Sequence, residues 1–254
     1  MLVLYRLTSV VVVLVVGVAY VSLLFTSFLP VVLMVGSVLI VTFLLARLLG
    51  WNVRTFEFWH LLSTPVLLLI SGYGLFFFLE QFYAKSILGI VLLVLLALFS
   101  EHIFSYIHLP AIYQPFSIEH LGQLMNILTL FFLSVAGFGL RLFLQVPLWI
   151  LGVAFFVLSL LVIYGTLWAS KVEDQRARPY ALVGALLITE LFIAIAFLPS
   201  GLYTSAAFMA LTSYVFLGLT RANALYRLTG TLLRRYVFIF ILLTATIIFT
   251  AQWL

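Results

Sequence analysis

The sequence contains no cysteine, and only 7% of its 254 residues are charged. Without cysteine, the chain has no disulfide framework and no thiol chemistry. A soluble domain usually carries about 25% charged residues, so this chain has too few to solvate a water-facing surface. Polar low-complexity runs are also missing, which excludes a long disordered tail. These shortages exclude a water-soluble fold and a disulfide-stabilised scaffold.

What the sequence has in abundance is apolar side chains. Hydrophobic residues make up 66% of the chain and aromatic residues 17%. A helix crosses a bilayer core of about 30 Å with roughly 20 apolar residues. Lipid also requires no polar surface over most of such a chain. The composition therefore predicts an all-α integral membrane protein, with residues 1–254 forming a single transmembrane domain.

Nine apolar runs account for the chain and predict a bundle of antiparallel helical hairpins. The uncharged stretch from Leu7 to Ala46 is long enough for two crossings, and Pro30 lies near its middle. Pro199 and Gly201 divide another long run in the same way. A signal peptide is the alternative for the first run, but that run is too long and lacks a cleavage site. The predicted spans are 7–26, 30–47, 61–79, 86–106, 121–144, 147–169, 180–198, 202–220 and 236–253.

The distribution of basic residues predicts the orientation of these spans. Lys and Arg near helix ends are retained on the cytoplasmic side of a membrane. With nine spans and a cytoplasmic N-terminus, only Lys85 and Arg141 fall on the outer side. The C-terminus at Leu254 is then external. The inner side receives Arg6, Arg47, Arg54, Lys171, Arg176, Arg178, Arg221, Arg227, Arg234 and Arg235.

Two of the predicted hairpins have similar sequences. The third span carries the motif Gly72-Tyr-Gly-Leu75, and the fifth span carries Gly137-Phe-Gly-Leu140. The spans that follow them contain Gly89 and Gly152 in similar apolar surroundings. A duplicated two-helix unit would give parallel repeats, because each unit returns to the side on which it began. Chance similarity between glycine-containing apolar segments is the alternative.

Glu190 is the one acidic residue deep inside a predicted span, about 15 Å along the helix from Tyr180. A charge near the bilayer centre costs about 2.5–3.5 kcal/mol on insertion scales. One interpretation is a proton- or cation-binding acid on a transport path, with Arg141 as its partner. The alternative is a neutral Glu190 that hydrogen-bonds a neighbouring helix, while Arg141 extends to the headgroups.

All four histidines lie near the predicted cytoplasmic boundary, accompanied by three glutamates. The spacing Glu57-x-x-His60 places a carboxylate and an imidazole on one helical face, as in di-metal bundles. A metal site is one interpretation, and a hydrated shelf facing headgroups is the other. The candidate metal ligands are Glu57, His60, Glu101, His102, Glu119 and His120.

Two segments between spans are expected to lie at the membrane surface. Residues 108–119 contain two prolines among apolar residues, which favours an interfacial loop, with Ser117 capping the fifth helix. The segment 221–235 alternates basic and apolar residues and is expected to lie flat on the inner leaflet. Each basic residue there contributes about 1 kcal/mol of attraction to an anionic surface. The anchoring residues are Arg221, Arg227, Arg234 and Arg235.

The C-terminal third resembles an uncharacterised family of small multi-pass bacterial membrane proteins. The resemblance rests on residues 190–199, on residues 221–235 and on the ending Thr250-Ala-Gln-Trp253. It implies a bacterial cytoplasmic membrane, and it implies no activity and no site residues.

The scarcity of polar groups within the spans favours a non-enzymatic scaffold or a subunit of a membrane complex. A transporter that uses Glu190 is the second interpretation, and an interfacial enzyme that uses the His and Glu residues is the third. No phosphate-binding glycine loop is present, and no cofactor is predicted. The expected partners are the lipid bilayer and either another membrane protein or a second copy, rather than nucleic acid.

Because the chain has no cysteine, single cysteines can test the predicted orientation directly. We expect Glu80→Cys and Gln145→Cys to react with a membrane-impermeant maleimide in intact cells. Glu173→Cys should react only after the membrane is permeabilised, because it lies in a predicted cytoplasmic loop. Labelling of Glu173→Cys in intact cells would contradict the orientation.

Overall fold

The computed structural model describes residues 2–25, 29–110, 113–114 and 116–251, with side chains from residue 5 onward. This part of the chain contains nine helices and no strand, and all nine helices are long and apolar enough to cross a membrane. The prediction of an all-α, multi-pass membrane protein with nine spans is therefore confirmed. The helices are α1 (Leu2–Phe25), α2 (Pro30–Leu48), α3 (Phe56–Phe78), α4 (Phe82–His108), α5 (Ser117–Leu144), α6 (Leu148–Ala169), α7 (Asp174–Ile195), α8 (Leu202–Ala224) and α9 (Gly230–Thr250).

Several sequence predictions concern residues outside the described part of the chain. They are the turn near Phe28, the centre of the interfacial segment 108–119, the last residues of the ninth predicted span and the external C-terminus at Leu254.

The helices extend beyond the apolar runs that predicted them. α3 begins at Phe56 rather than at residue 61, and α7 begins at Asp174 rather than at residue 180. Helical hydrogen bonding continues into polar sequence, so an apolar run marks the part of a helix suited to hydrocarbon and not its ends. The predicted start of the second span at residue 30 is confirmed, because Pro30 is the first residue of α2, where its missing N–H costs nothing.

The chain divides into two compact units, residues 1–125 and 126–254. Unit 1 contains α1 to α4 and the start of α5, and unit 2 contains the rest of α5 and α6 to α9. The sequence gives no sign of this division, because it falls inside α5 and not in a polar linker.

In unit 1, α1 and α4 run antiparallel and are joined by hydrogen bonds near both ends. Ser9 Oγ donates to the carbonyl oxygen of Ser100 over 3.3 Å, and the Tyr20 hydroxyl donates to the carbonyl oxygen of Lys85 over 2.7 Å. Tyr20 is only 2% exposed. Gly89 of α4 permits this approach, because a Cβ atom there would lie 2.4 Å from the Tyr20 ring. Small residues of this kind let transmembrane helices pack closely.

A second polar contact joins α2 to α3 inside unit 1. The hydroxyls of Ser37 and Tyr73 are 2.8 Å apart, and both side chains are buried. The Tyr73 ring stacks on Tyr20 with centroids 6.5 Å apart. This buried group of side chains therefore links α1, α2, α3 and α4.

In unit 2, the fully buried Phe192 of α7 lies at the centre of the packing. Its ring stacks on Phe138 of α5 and on Phe155 of α6, with centroids 4.6 Å and 4.4 Å apart. Gly137 makes room for it, since a Cβ atom there would lie 2.9 Å from the ring. The buried Asn126 of α5 donates to Thr166 Oγ1 of α6 over 2.8 Å.

The helix α9 differs from the other helices because none of its described residues is buried. It packs antiparallel to α8, where Tyr236 lies against Gly218 and Phe240 lies near Phe208. Lipid can cover most of its apolar surface without any protein contact.

The two hairpins that suggested a repeat do not use their matching glycines in the same way. Gly72 of α3 faces Leu92 of the next helix, whereas Gly137 of α5 faces Phe192 two helices further along. The duplication therefore stays a prediction, and the matching motifs do not produce matching contacts.

We expect Gly89→Ala to destabilise the folded protein by about 1–3 kcal/mol, because the added methyl group overlaps the held Tyr20 ring. Gly36→Ala is the matched control, since no atom lies within 4 Å of a Cβ placed there. The measurement is thermal unfolding of each purified protein in detergent. Equal unfolding temperatures for the two variants would contradict this account of the packing.

Candidate functional site

The side chain of Glu190 lies on the exposed face of α7. The residues before and after it on that face are apolar, namely Val183, Leu187 and Ala194, and all are exposed. The opposite face of α7 carries small buried residues such as Ala181 and Ala185 and packs within unit 2. The sequence predicted Glu190 near the midpoint of its span, whereas in the structure it lies in the last third of α7, five residues before the end of the helix at Ile195. The sequence also did not show which face of the helix Glu190 occupies.

The structure does not bring Glu190 and Arg141 together. The Arg141 guanidinium carbon lies 5.0 Å from the centroid of the Phe197 ring, which is a cation–π arrangement. Glu190 forms no hydrogen bond or ion pair within the part of the chain that is described. The predicted pairing is therefore replaced by an Arg141–Phe197 contact beyond the end of α7.

One end of unit 1, where α2 and α4 end and α3 begins, carries three glutamates, and each of them contacts another side chain. We call it the acidic end, defined by Glu57, Glu101 and Glu119. The hydroxyl of Tyr106 in α4 donates to Glu57 Oε1 of α3 over 2.5 Å. Glu101 forms an ion pair with Arg6 of α1, with nitrogen and oxygen 3.6 Å apart.

Tyr113 connects Tyr106 to the start of α5. The two tyrosine rings meet edge to face with centroids 5.2 Å apart. The Tyr113 hydroxyl donates to Glu119 Oε2 over 3.2 Å and accepts from the amide of Ile118 over 3.2 Å. Burial raises the pKa of the Tyr113 phenol above its ordinary value, so the phenol stays protonated and can donate. The result is a continuous line of contacts from Glu57 to Glu119.

The six predicted metal ligands are not assembled into a site. Among the residues that the structure describes, no three His, Asp or Glu side chains are placed to hold one metal ion. Glu57, Glu101 and Glu119 have the partners given above, His60 is buried, and His120 Nδ1 lies 2.6 Å from the carbonyl oxygen of Phe116. The metal interpretation is therefore not supported.

A cavity of about 340 Å³ lies beside Glu57 at the acidic end. Its polar lining comes from Asn52, Thr55, Glu57 and Tyr106. The rest of the lining is apolar and consists of Leu49, Phe58, Leu61 and Ile107. All of these residues belong to unit 1.

The basic segment 221–235 is not one surface-lying element. Arg221 lies in the last turn of α8, Arg227 lies in the connection, and Arg234 and Arg235 lie in the first turns of α9. Helical hydrogen bonding continues into the polar sequence from both sides, so the segment forms the end of α8 and the start of α9. The side chains of Arg227, Arg234 and Arg235 are exposed. Their contact with the membrane surface stays a prediction.

The sequence analysis did not identify Tyr106, Asn52 or Thr55 as site residues. Their role depends on contacts between α3 and α4, which no spacing within one helix reveals. Tyr113 lies in the segment 108–119, which the sequence predicts to be interfacial. This location is the signal in the sequence that points to Tyr113 as a site residue.

Comparisons with known protein families, with curated protein sequences and with solved structures give no match to this chain.

We expect Tyr106→Phe to lower the free energy of unfolding by about 1 kcal/mol, because it removes a hydrogen bond to the Glu57 carboxylate. Tyr83→Phe in the same helix is the matched control, since Tyr83 is 80% exposed. Thermal unfolding in detergent compares the two variants. A loss of stability as large in Tyr83→Phe would show that the Tyr106 hydroxyl has no special contribution.

Proposed function

We propose that this protein is a non-enzymatic component of a membrane protein complex. The face of α7 around Glu190 would contact a helix of a partner protein. The observation that carries the proposal is a carboxylate that is exposed on an apolar face of a candidate membrane span. We place the protein in a bacterial cytoplasmic membrane, as the sequence analysis expects. The distribution of basic residues supports a cytoplasmic N-terminus and an external C-terminus.

The energetic argument concerns what surrounds Glu190 when the face of α7 is covered by lipid alone. A charged carboxylate costs about 2.5–3.5 kcal/mol at the centre of a helix on insertion scales, which is the upper bound for Glu190 in the last third of α7. The apolar neighbours Val183 and Leu187 offer it no hydrogen-bond donor. Exposed apolar residues on α9 carry no such cost in lipid, so they do not require a partner. Glu190 therefore distinguishes the face of α7 from the rest of the apolar surface.

The chemistry of Glu190 favours a particular kind of partner. A helix that presents Lys, Arg or a neutral donor at the same depth would offset the cost, since a hydrogen bond to a charged group contributes about 1.5–3 kcal/mol. A second copy of this chain in a symmetric contact would instead bring two carboxylates together, which disfavours the charged form of both. A different membrane protein is thus the better match.

The exposed position of Glu190 also separates this proposal from the transport alternative. A coupling acid in a transporter usually lies in the interior of a helix bundle or borders a water-filled cavity. At this level of α7, Phe192 is the residue buried in the interior of unit 2. Glu190 lies on the exposed face of the helix. The enzyme alternative loses its proposed metal ligands, which do not converge.

We expect Glu190→Leu to keep or raise the unfolding temperature of the isolated protein, because it removes a carboxylate from an apolar face. The same variant should lose the partner that co-purifies with the wild type in mild detergent. Partner recovery is measured by quantitative mass spectrometry of proteins bound to a tagged chain.

The matched control is Glu80→Leu, which changes an exposed glutamate between α3 and α4. It should retain the partner at wild-type amounts. Recovery of one partner in equal amounts with wild type and Glu190→Leu would contradict the proposal. A wild-type protein that remains a single chain, with no enriched partner, would also contradict it.

A further inference from the structure

We propose that the cavity at the acidic end of unit 1 binds a small ammonium group. The group would belong to a free amine or to the headgroup of a lipid. This inference is independent of the proposed partner contact, because every residue it uses belongs to unit 1 and Glu190 belongs to unit 2. It rests on the charge, hydrogen-bond capacity and shape of the cavity.

The Glu57 carboxylate gives the cavity its charge. Glu57 is half-buried in the cavity wall, and its Oε1 atom accepts a hydrogen bond from the Tyr106 hydroxyl. A carboxylate has about four lone-pair positions, so Glu57 can accept further donors from a ligand. Tyr106 orients the carboxylate by holding one oxygen. An ammonium group supplies three donors and a positive charge, which matches this acceptor.

The other charged groups near the cavity do not neutralise Glu57. Glu119 is connected to Tyr106 through Tyr113 and adds a second negative charge on that side. Arg47 and Arg54 are the nearby cations in sequence, and both are exposed. Neither arginine lines the cavity or forms an ion pair with Glu57 within the described residues. The cavity therefore favours a cation over an anion.

The shape of the cavity limits the size of the ligand. A volume of about 340 Å³ is at the small end of ligand pockets, which range from about 300 to 1,000 Å³. Asn52 and Thr55 lie at the exposed rim, while Leu61 and Phe58 form an apolar wall. A bare metal ion would leave this wall unused. An ammonium group with a short carbon chain can contact both parts.

The site adjoins the ends of three candidate membrane spans, which makes a lipid headgroup a reasonable source of the ammonium group. A dissolved amine has the same recognition chemistry. The two sources differ in whether acyl chains are needed, and the experiment separates them on that basis.

The test uses the full-length protein, purified in detergent and stripped of lipid. Isothermal titration measures binding of ethanolamine, of short-chain phosphatidylethanolamine and of short-chain phosphatidylglycerol. We expect saturable binding of an ammonium probe and none of phosphatidylglycerol. Binding of ethanolamine identifies a free amine as sufficient, and binding of phosphatidylethanolamine alone identifies a lipid headgroup.

Glu57→Gln should weaken the binding about tenfold or more, because it removes a charge-assisted hydrogen bond. Glu173→Gln is the matched control, since Glu173 is exposed and belongs to unit 2. It should bind as the wild type does. If Glu57→Gln does not fold, Asn52→Leu replaces it, because this exposed rim position tolerates substitution and the leucine narrows the cavity mouth.

Three results would overturn the proposal. The first is no saturable binding of either ammonium probe to the wild type. The second is equal binding of phosphatidylglycerol and phosphatidylethanolamine. The third is wild-type affinity in folded Glu57→Gln or, where that variant fails to fold, in Asn52→Leu.

Discussion

Lipid gives transmembrane helices no hydrophobic reason to associate, so their packing depends on close contact and on internal hydrogen bonds. Both units follow this constraint. In unit 1 the ring of Tyr20 fits against Gly89 and its hydroxyl bonds to a backbone carbonyl of α4. In unit 2 the ring of Phe192 fits against Gly137 between α5, α6 and α7. A large ring opposite a glycine is thus the common packing device.

The number and type of helices could be predicted from the sequence because hydrocarbon thickness sets the length of an apolar run. Pro30 also marked a helix start correctly, since the ring of proline is favoured at the first helical position. The helix ends could not be predicted in the same way. The segment 221–235 divides between α8 and α9 because polar residues can continue a helix outside the apolar run.

The candidate sites were less predictable than the fold because they depend on helix rotation and on contacts between helices. The sequence predicted Glu190 near mid-span, whereas it lies five residues from the end of α7. Its exposed position follows from which face of α7 carries the small buried residues. Glu57 was identified from its spacing to His60, whereas its actual partner is Tyr106 on another helix. Spacing within one helix cannot report such a pair. The contact between Arg141 and Phe197 depends on the same inter-helix geometry.

The stacking of Phe192 between Phe138 and Phe155 has a mechanical consequence. This contact involves three helices, since Phe192 belongs to α7, Phe138 to α5 and Phe155 to α6. Turning any of these helices about its long axis would displace the shared ring and push on the other two. A rotation of α5, α6 or α7 is therefore coupled to the other two helices through this ring.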